Sequence, residues 1–233
     1  MLTVIRYASL ALLVFVAGLW GWAWTSRIPG ESVGEAFASR LASVFGAELP
    51  VPAAGGGQGG LTLPPGLALG GAFSLIDQDG RAVSEQDFAG RWMLVYFGFT
   101  HCPDVCPTEL GTMVAALDTL GEAADQVVPA LITIDPARDT PAALKDYVSR
   151  FHPRMVGLTG TTEKVAEAAR RYRVYYARAQ RAEHTDYTMD HSSFIYLVGP
   201  DSRVRTMFRP ETPPETMAAS ILGQLRSGSR GGS

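Results

Sequence analysis

Polar and apolar residues do not alternate at the start of the chain. Tyr7 to Trp24 carries no charge, and its most polar aliphatic side chain is that of Ser9. At about 1.5 Å per residue this run of 18 residues reaches about 27 Å, near the roughly 30 Å of a bilayer's hydrocarbon core. It predicts one membrane-spanning helix. Trp20, Trp22 and Trp24 sit at its far end, where indoles favour the headgroup layer, and Arg6 lies at its near end, so the amino terminus is expected inside and the rest of the chain exported. A cleaved signal peptide is the alternative, but no Ala-x-Ala site follows and bulky tryptophans occupy the region where cleavage needs small residues.

Beyond the anchor, Val33, Phe37, Leu41, Val44 and Phe45 recur at three- and four-residue steps behind Ser32 and Glu35, which have capping-box spacing. A short amphipathic helix is predicted there. Pro50 to Gly60 is small, glycine-rich and unable to support a core, which makes it a linker. The pattern divides the chain into an anchor (1–27), a juxtamembrane segment and linker (28–62), one folded domain (63–226) and a flexible tail (227–233).

Within the domain, Phe73–Ile76 and Ala82–Val83 flank the turn signal Asp79-Gly80, predicting a hairpin. Trp92 to Phe99 and Val127 to Ile134 are unbroken apolar runs, the pattern of central strands buried on both faces. Pro107 opens a helix that places Cys106 at its N-cap; further helices are predicted from Pro141 and Thr161, and a last one near Pro214. Short strands are expected at Met155–Leu158, Phe194–Val198 and Val204–Phe208, with an extended stretch at Val174–Ala179. Strand, cysteine loop, helix, strand, helix, then antiparallel hairpin and final helix is the order of an α/β thioredoxin-like fold, a central mixed sheet flanked by helices.

Charge adds an exclusion. With 20 basic against 23 acidic side chains and a formal charge of -3, the chain lacks the basic surplus that nucleic-acid binding requires. Its 2 cysteines, Cys102 and Cys106, exclude both a multi-disulfide scaffold and a four-cysteine zinc site. A bridge between them closes too short a loop to stabilise the fold much. At a helix N-terminus, however, thiols ionise more easily, and thiolates are the reactive, metal-binding form. Two of them bind a soft ion; a third donor makes the site specific. His191 is the candidate, because it stands where a thioredoxin fold normally places a proline packed against the cysteines. A Cys2His set suits Cu(I), and Cu(II) if an oxygen ligand joins.

Three blocks, Gly98-Phe99-Thr100-His101-Cys102-Pro103-Asp104-Val105-Cys106-Pro107, Thr133 to Pro141 (TIDPARDTP) and Asp190-His191-Ser192, resemble the Sco (SenC) family of cytochrome oxidase assembly proteins. The resemblance covers roughly residues 64–225. It implies a membrane-anchored copper protein that delivers copper to, or reduces the cysteines of, the Cu-A centre of cytochrome c oxidase subunit II. Cys102, Cys106 and His191 take the metal-ligand roles by motif match. The domain is then expected in the periplasm on a single-pass bacterial inner-membrane anchor, or in the intermembrane space if the protein is mitochondrial. The copper donor or thiol reductant upstream is not named by the sequence.

Two functions follow, a copper metallochaperone and a thiol:disulfide oxidoreductase in which Cys102 and Cys106 form the redox pair. His191 favours the first, since exchange chemistry has no use for a ligand there. A peroxiredoxin is disfavoured because Thr100 lies only two residues before Cys102. Among secondary candidates, His101 is expected to point away into solvent and His152 to face solvent, while His184, in the polar segment before His191, is a weaker candidate for a transient copper contact only. Asp135, which could sit near the site, is read instead with Pro136, Arg138 and Asp139 as a local turn held by an ion pair, Asp104 as a negative charge for a cation site or a partner surface, and Tyr175, Tyr176 and Tyr187 as core or as the approach to the site.

Overall fold

The computed structural model describes residues 18, 60–64, 67–180 and 186–230. Among them no helix is long and apolar enough to cross a membrane. The Tyr7–Trp24 run lies outside them except for Gly18, as do the amphipathic stretch, the linker up to Gly59 and His184.

The hydrophobic runs become the middle of an eight-stranded sheet in the order β1-β10-β9-β4-β5-β6-β2-β3. Strands β4 (Trp92–Gly98) and β5 (Val127–Thr133) are buried at every position, as strands covered by helices on both faces must be. They pair in parallel, as do β5 and β6 (Val156–Thr159), while β9 (Ile195–Val198) runs antiparallel to β4 and β10 (Val204–Phe208) antiparallel to β9. The predicted hairpin is β2 (Ser74–Asp77) and β3 (Ala82–Ser84), and it joins the sheet through β6. This is the expected mixed α/β, thioredoxin-like arrangement.

Helix α1 (Val105–Leu120) follows β4, α2 (Pro141–Ser149) follows β5 and packs on β6, and α3 (Thr162–Arg171) packs on β2. The hydroxyls of Thr140 and Thr161 accept from the backbone N–H groups of Ala143 and Lys164 and so cap α2 and α3. The last helix, α4 (Pro214–Arg230), packs against α1.

Four boundaries differ from the sequence reading. Leu61–Thr62 already forms β1 against Met207 and Thr206, so the sheet begins inside the segment read as linker. Helix α4 continues into the segment read as a loose tail: the Ser227 hydroxyl donates to the Gln224 carbonyl, and Gly228 passes so close to Trp92 that a Cβ would stand 3.3 Å from the indole. Helix α1 begins at Val105 with Asp104 at the N-cap, which puts Cys106 inside the first turn instead of at the cap. Finally, residues 188–191, to which the sequence reading assigned no element, form strand β8 (Thr188–His191), paired antiparallel with β7 (Tyr176–Ala179) in a separate two-stranded sheet.

Candidate metal centre

The cysteine loop leaves the carboxyl end of β4 at the centre of the sheet, where parallel strands and helix N-termini converge. Its first residue is fixed by a carboxylate. Asp139 is fully buried; its Oδ2 accepts from Thr100 N (3.1 Å) and Thr133 Oγ1 (2.6 Å), and its Oδ1 from Thr100 Oγ1 (2.6 Å). The Asp139 carbonyl accepts from Thr159 Oγ1, so one residue ties together the ends of β4, β5 and β6. The sequence reading placed Asp139 only in a local turn and missed this.

Helix α1 leaves its first N–H groups without intrahelical partners. Asp104 does not cap them with its side chain, and the Sγ of Cys102 accepts from Cys106 N at 3.4 Å instead. Both cysteines are free thiols. Cys102 is half-buried, whereas Cys106 is inaccessible beneath it. Close packing at Cys106 depends on Gly98, where a Cβ would come within 2.7 Å of the Tyr96 ring and 3.1 Å of Cys106 Sγ. The Tyr96 hydroxyl donates to that sulfur at 3.9 Å, and burial raises its own pKa so that it stays a neutral donor.

The thiols are unequal. A hydrogen bond from the Cys106 thiol is the largest cause holding Cys102 down at about 4, against the opposing cost of burial and with help from the neighbouring His191 ring and the backbone amides of Asp104 and Cys106. Cys106 is pushed up, first by that same bond, then by burial and by the charge on Cys102. One proton is shared, and the pair titrates as a unit. Brief treatment of the reduced protein with iodoacetamide at pH 6 is therefore expected to label Cys102 and spare Cys106, as read by peptide mass mapping; equal labelling would show that the asymmetry is absent.

His191 ends β8 with its ring between Tyr96 and Phe99, edge-on to both at 6.0 Å between ring centres. Its Nδ1 lies 3.0 Å from the Ser192 carbonyl oxygen. A carbonyl only accepts, so Nδ1 carries the proton and Nε2 presents its lone pair, the tautomer a metal needs. Nε2 stands 3.6 Å from Cys106 Sγ. Donors at the metal–sulfur and metal–imidazole lengths of zinc sites, about 2.3 and about 2.0 Å, lie about 3.5 Å apart across a tetrahedral angle. Among the described residues no three His, Cys, Asp or Glu side chains already form a metal-holding group, so these donors are adjacent without being a closed cage.

What holds β8 in place is the second block of the motif. Arg138 donates through Nε to Asp135 and through Nη1 to the Tyr187 carbonyl (3.0 Å), while the Tyr187 hydroxyl donates to Asp135 Oδ1 (2.9 Å). The guanidinium carbons of Arg138 and Arg178 each lie 3.8 Å from the centre of the Tyr187 ring. The expected Asp135–Arg138 ion pair is present, and it also clamps the segment that leads into His191. Tyr187 belongs to that clamp, while Tyr175 is 66% exposed and Tyr176 half-buried. His101 is exposed as expected but turns towards Thr100 Oγ1 and Asp139, and His152 is partly exposed, its Nδ1 accepting from Arg154 N. Asp104 is exposed at the mouth of the site.

The sequence profile of the SCO1/SenC family matches residues 62–226, which runs from the end of β1 into α4 and includes all three motif blocks. The chain belongs to the SCO1/SenC family. It is 44% identical over 160 residues to the mitochondrial SCO1 homolog of Homo sapiens, covering 68% of this chain and 53% of that protein. The chain thus spans about half the length of that relative. Among solved structures it resembles Arabidopsis thaliana ScoI with copper bound, at 40% identity and a TM-score of 0.65, over 69% of this chain and 99% of that one. It also resembles BsSco, described as a member of the Sco family of cytochrome c oxidase assembly proteins and as carrying a disulfide switch, at 26% identity and a TM-score of 0.56, over 72% and 96% of the two chains.

Proposed function

We propose that this SCO1/SenC protein is a membrane-tethered copper metallochaperone that holds one copper ion through Cys102, Cys106 and His191 and supports assembly of the Cu-A centre in cytochrome c oxidase subunit II. The observation that carries the reading is the His191 imidazole, 3.6 Å from Cys106 Sγ with its lone pair towards the thiols and its other nitrogen tied to the Ser192 carbonyl. Copper in the Arabidopsis relative supports it. The Tyr7–Trp24 run would keep the domain on the outer side of its membrane, in the periplasm or the intermembrane space.

Two thiolates and one imidazole give a soft donor set for Cu(I), with a net charge of about −1 once the ion is bound. Loading releases the shared thiol proton, and oxidation to a disulfide removes both sulfur ligands together. Titrating copper into the reduced full-length chain should give one ion per chain. The Cys102→Ser, Cys106→Ser double variant and the oxidised wild type should both give none at comparable concentration. Unchanged tight binding in either would refute the site.

The half-exposed Cys102, held as thiolate over a protonated Cys106, favours a second reading as a thiol:disulfide oxidoreductase acting on the oxidase cysteines. That role needs the two sulfurs and not the imidazole.

A further inference from the structure

A cavity of about 320 Å³ opens over the site, and its walls include Cys102, His191, Phe99 and Met189, but not Cys106. Cys106 is wholly inaccessible. A copper ion arriving through this cavity therefore meets a donor set different from the one that finally holds it. Of the lining side chains, only Cys102, His191 and Met189 offer soft or borderline donors; Asp104 and Asp190 offer hard oxygens, which Cu(I) disfavours.

Met189 stands two residues before His191 on β8, so strand alternation places both side chains on one face. The register agrees, with Tyr176 opposite His191 and Arg178 opposite Met189 on β7. Met189 is only partly buried against the core. Its unbranched side chain, with three rotatable bonds, can sweep the cavity in a way that valine or leucine cannot, and its thioether is polarizable and uncharged.

We propose that the Met189 thioether is the receiving ligand for Cu(I), completing a transient set with Cys102 and His191 before the metal moves inward. This rests on the copper-handling reading above. The thioether adds no charge and competes poorly for Cu(II) and Zn(II), so the mouth of the site selects the reduced ion. The inward step is a ligand exchange without change of oxidation state: the bond from copper to the Met189 sulfur breaks, one to Cys106 forms, and the Cys106 thiol proton leaves to solvent. In reverse, the same set passes the ion outward.

The test uses the reduced full-length chain in detergent, with Cu(I) presented by a chromogenic chelator and uptake followed in time. Met189→Leu, which keeps the volume, is expected to slow uptake about tenfold. A second measurement does not depend on the rate. In selenomethionine-substituted His191→Ala protein, where the third seat is vacant, the selenium-edge absorption spectrum of the Cu(I)-loaded chain should show a copper neighbour. That feature should vanish in the His191→Ala, Met189→Leu variant. Wild-type uptake by Met189→Leu together with no selenium–copper feature would overturn the role of Met189, while copper binding by wild type would still stand. Failure of wild type itself to bind Cu(I) would instead overturn the metallochaperone reading.

Discussion

A His191→Ala chain is expected to lose Cu(II) and its visible absorption outright and to hold Cu(I) about 100-fold less tightly, a loss of about 2.7 kcal/mol. The fold should survive. The imidazole is half-buried and makes edge contacts to Tyr96 and Phe99, so truncation leaves a small gap at a strand end and costs about 1 kcal/mol. Thiol exchange by Cys102 and Cys106 should persist, because both sulfurs remain and the Cys106 thiol, the largest cause of the low Cys102 pKa, is untouched. The two readings of function therefore part on one substitution. If oxidase assembly in cells collapses when copper is scarce and partly recovers when copper is added, metal delivery is the role, since mass action replaces an efficient carrier. Normal copper affinity and full assembly in the variant would transfer the function to the reductase reading.

The largest effect on stability is expected at Asp139. Alanine there leaves Thr100 N, Thr100 Oγ1 and Thr133 Oγ1 without their acceptor at the ends of β4 and β5. The hydroxyls can partly turn to other partners but the amide cannot, so the cost should be about 3 kcal/mol. For a domain of this size that lowers Tm by about 6–12 °C in thermal unfolding followed by circular dichroism. Asparagine keeps one acceptor and should recover part of the loss. Because Thr100 begins the cysteine loop, the same alanine variant should also weaken Cu(I) binding, although Asp139 is not among the proposed ligands. A Tm within about 2 °C of wild type would show that the threonines find other partners and that the carboxylate is dispensable.

The sequence made the central strands legible because β4 and β5 are apolar at almost every position, and a run of that kind has one stable environment, the middle of a covered sheet. Threonine caps located α2 and α3 for an equally local reason. Cys102, Cys106 and His191 could be grouped because the fold brings the end of β4 beside the segment before β9. The misses share a cause. Strand β8 has no hydrophobic alternation of its own; it is extended because β7 pairs with it and because Tyr187 is clamped by Asp135 and Arg138, which are 52 and 49 positions away in sequence. Asp139 looked like half of a turn because its three donors come from two different strand ends. The start of α1 shifted because a cysteine sulfur, not a side-chain oxygen, accepts the orphan amide. Local pattern reports burial and caps well, and distant polar partnerships hardly at all.

The two halves of the site hang from different hydrogen-bonding nets. The thiols belong to the eight-stranded sheet and its helix α1, while the imidazole belongs to the β7–β8 ribbon, which among the described residues shares no ladder with that sheet. If copper is held by all three donors as proposed, the ion joins two separately hydrogen-bonded parts of the fold, and part of its binding free energy goes into holding them together. A change at Tyr187 or Arg138, whose contacts hold β8 in place, is therefore expected to weaken copper binding although neither is a proposed ligand.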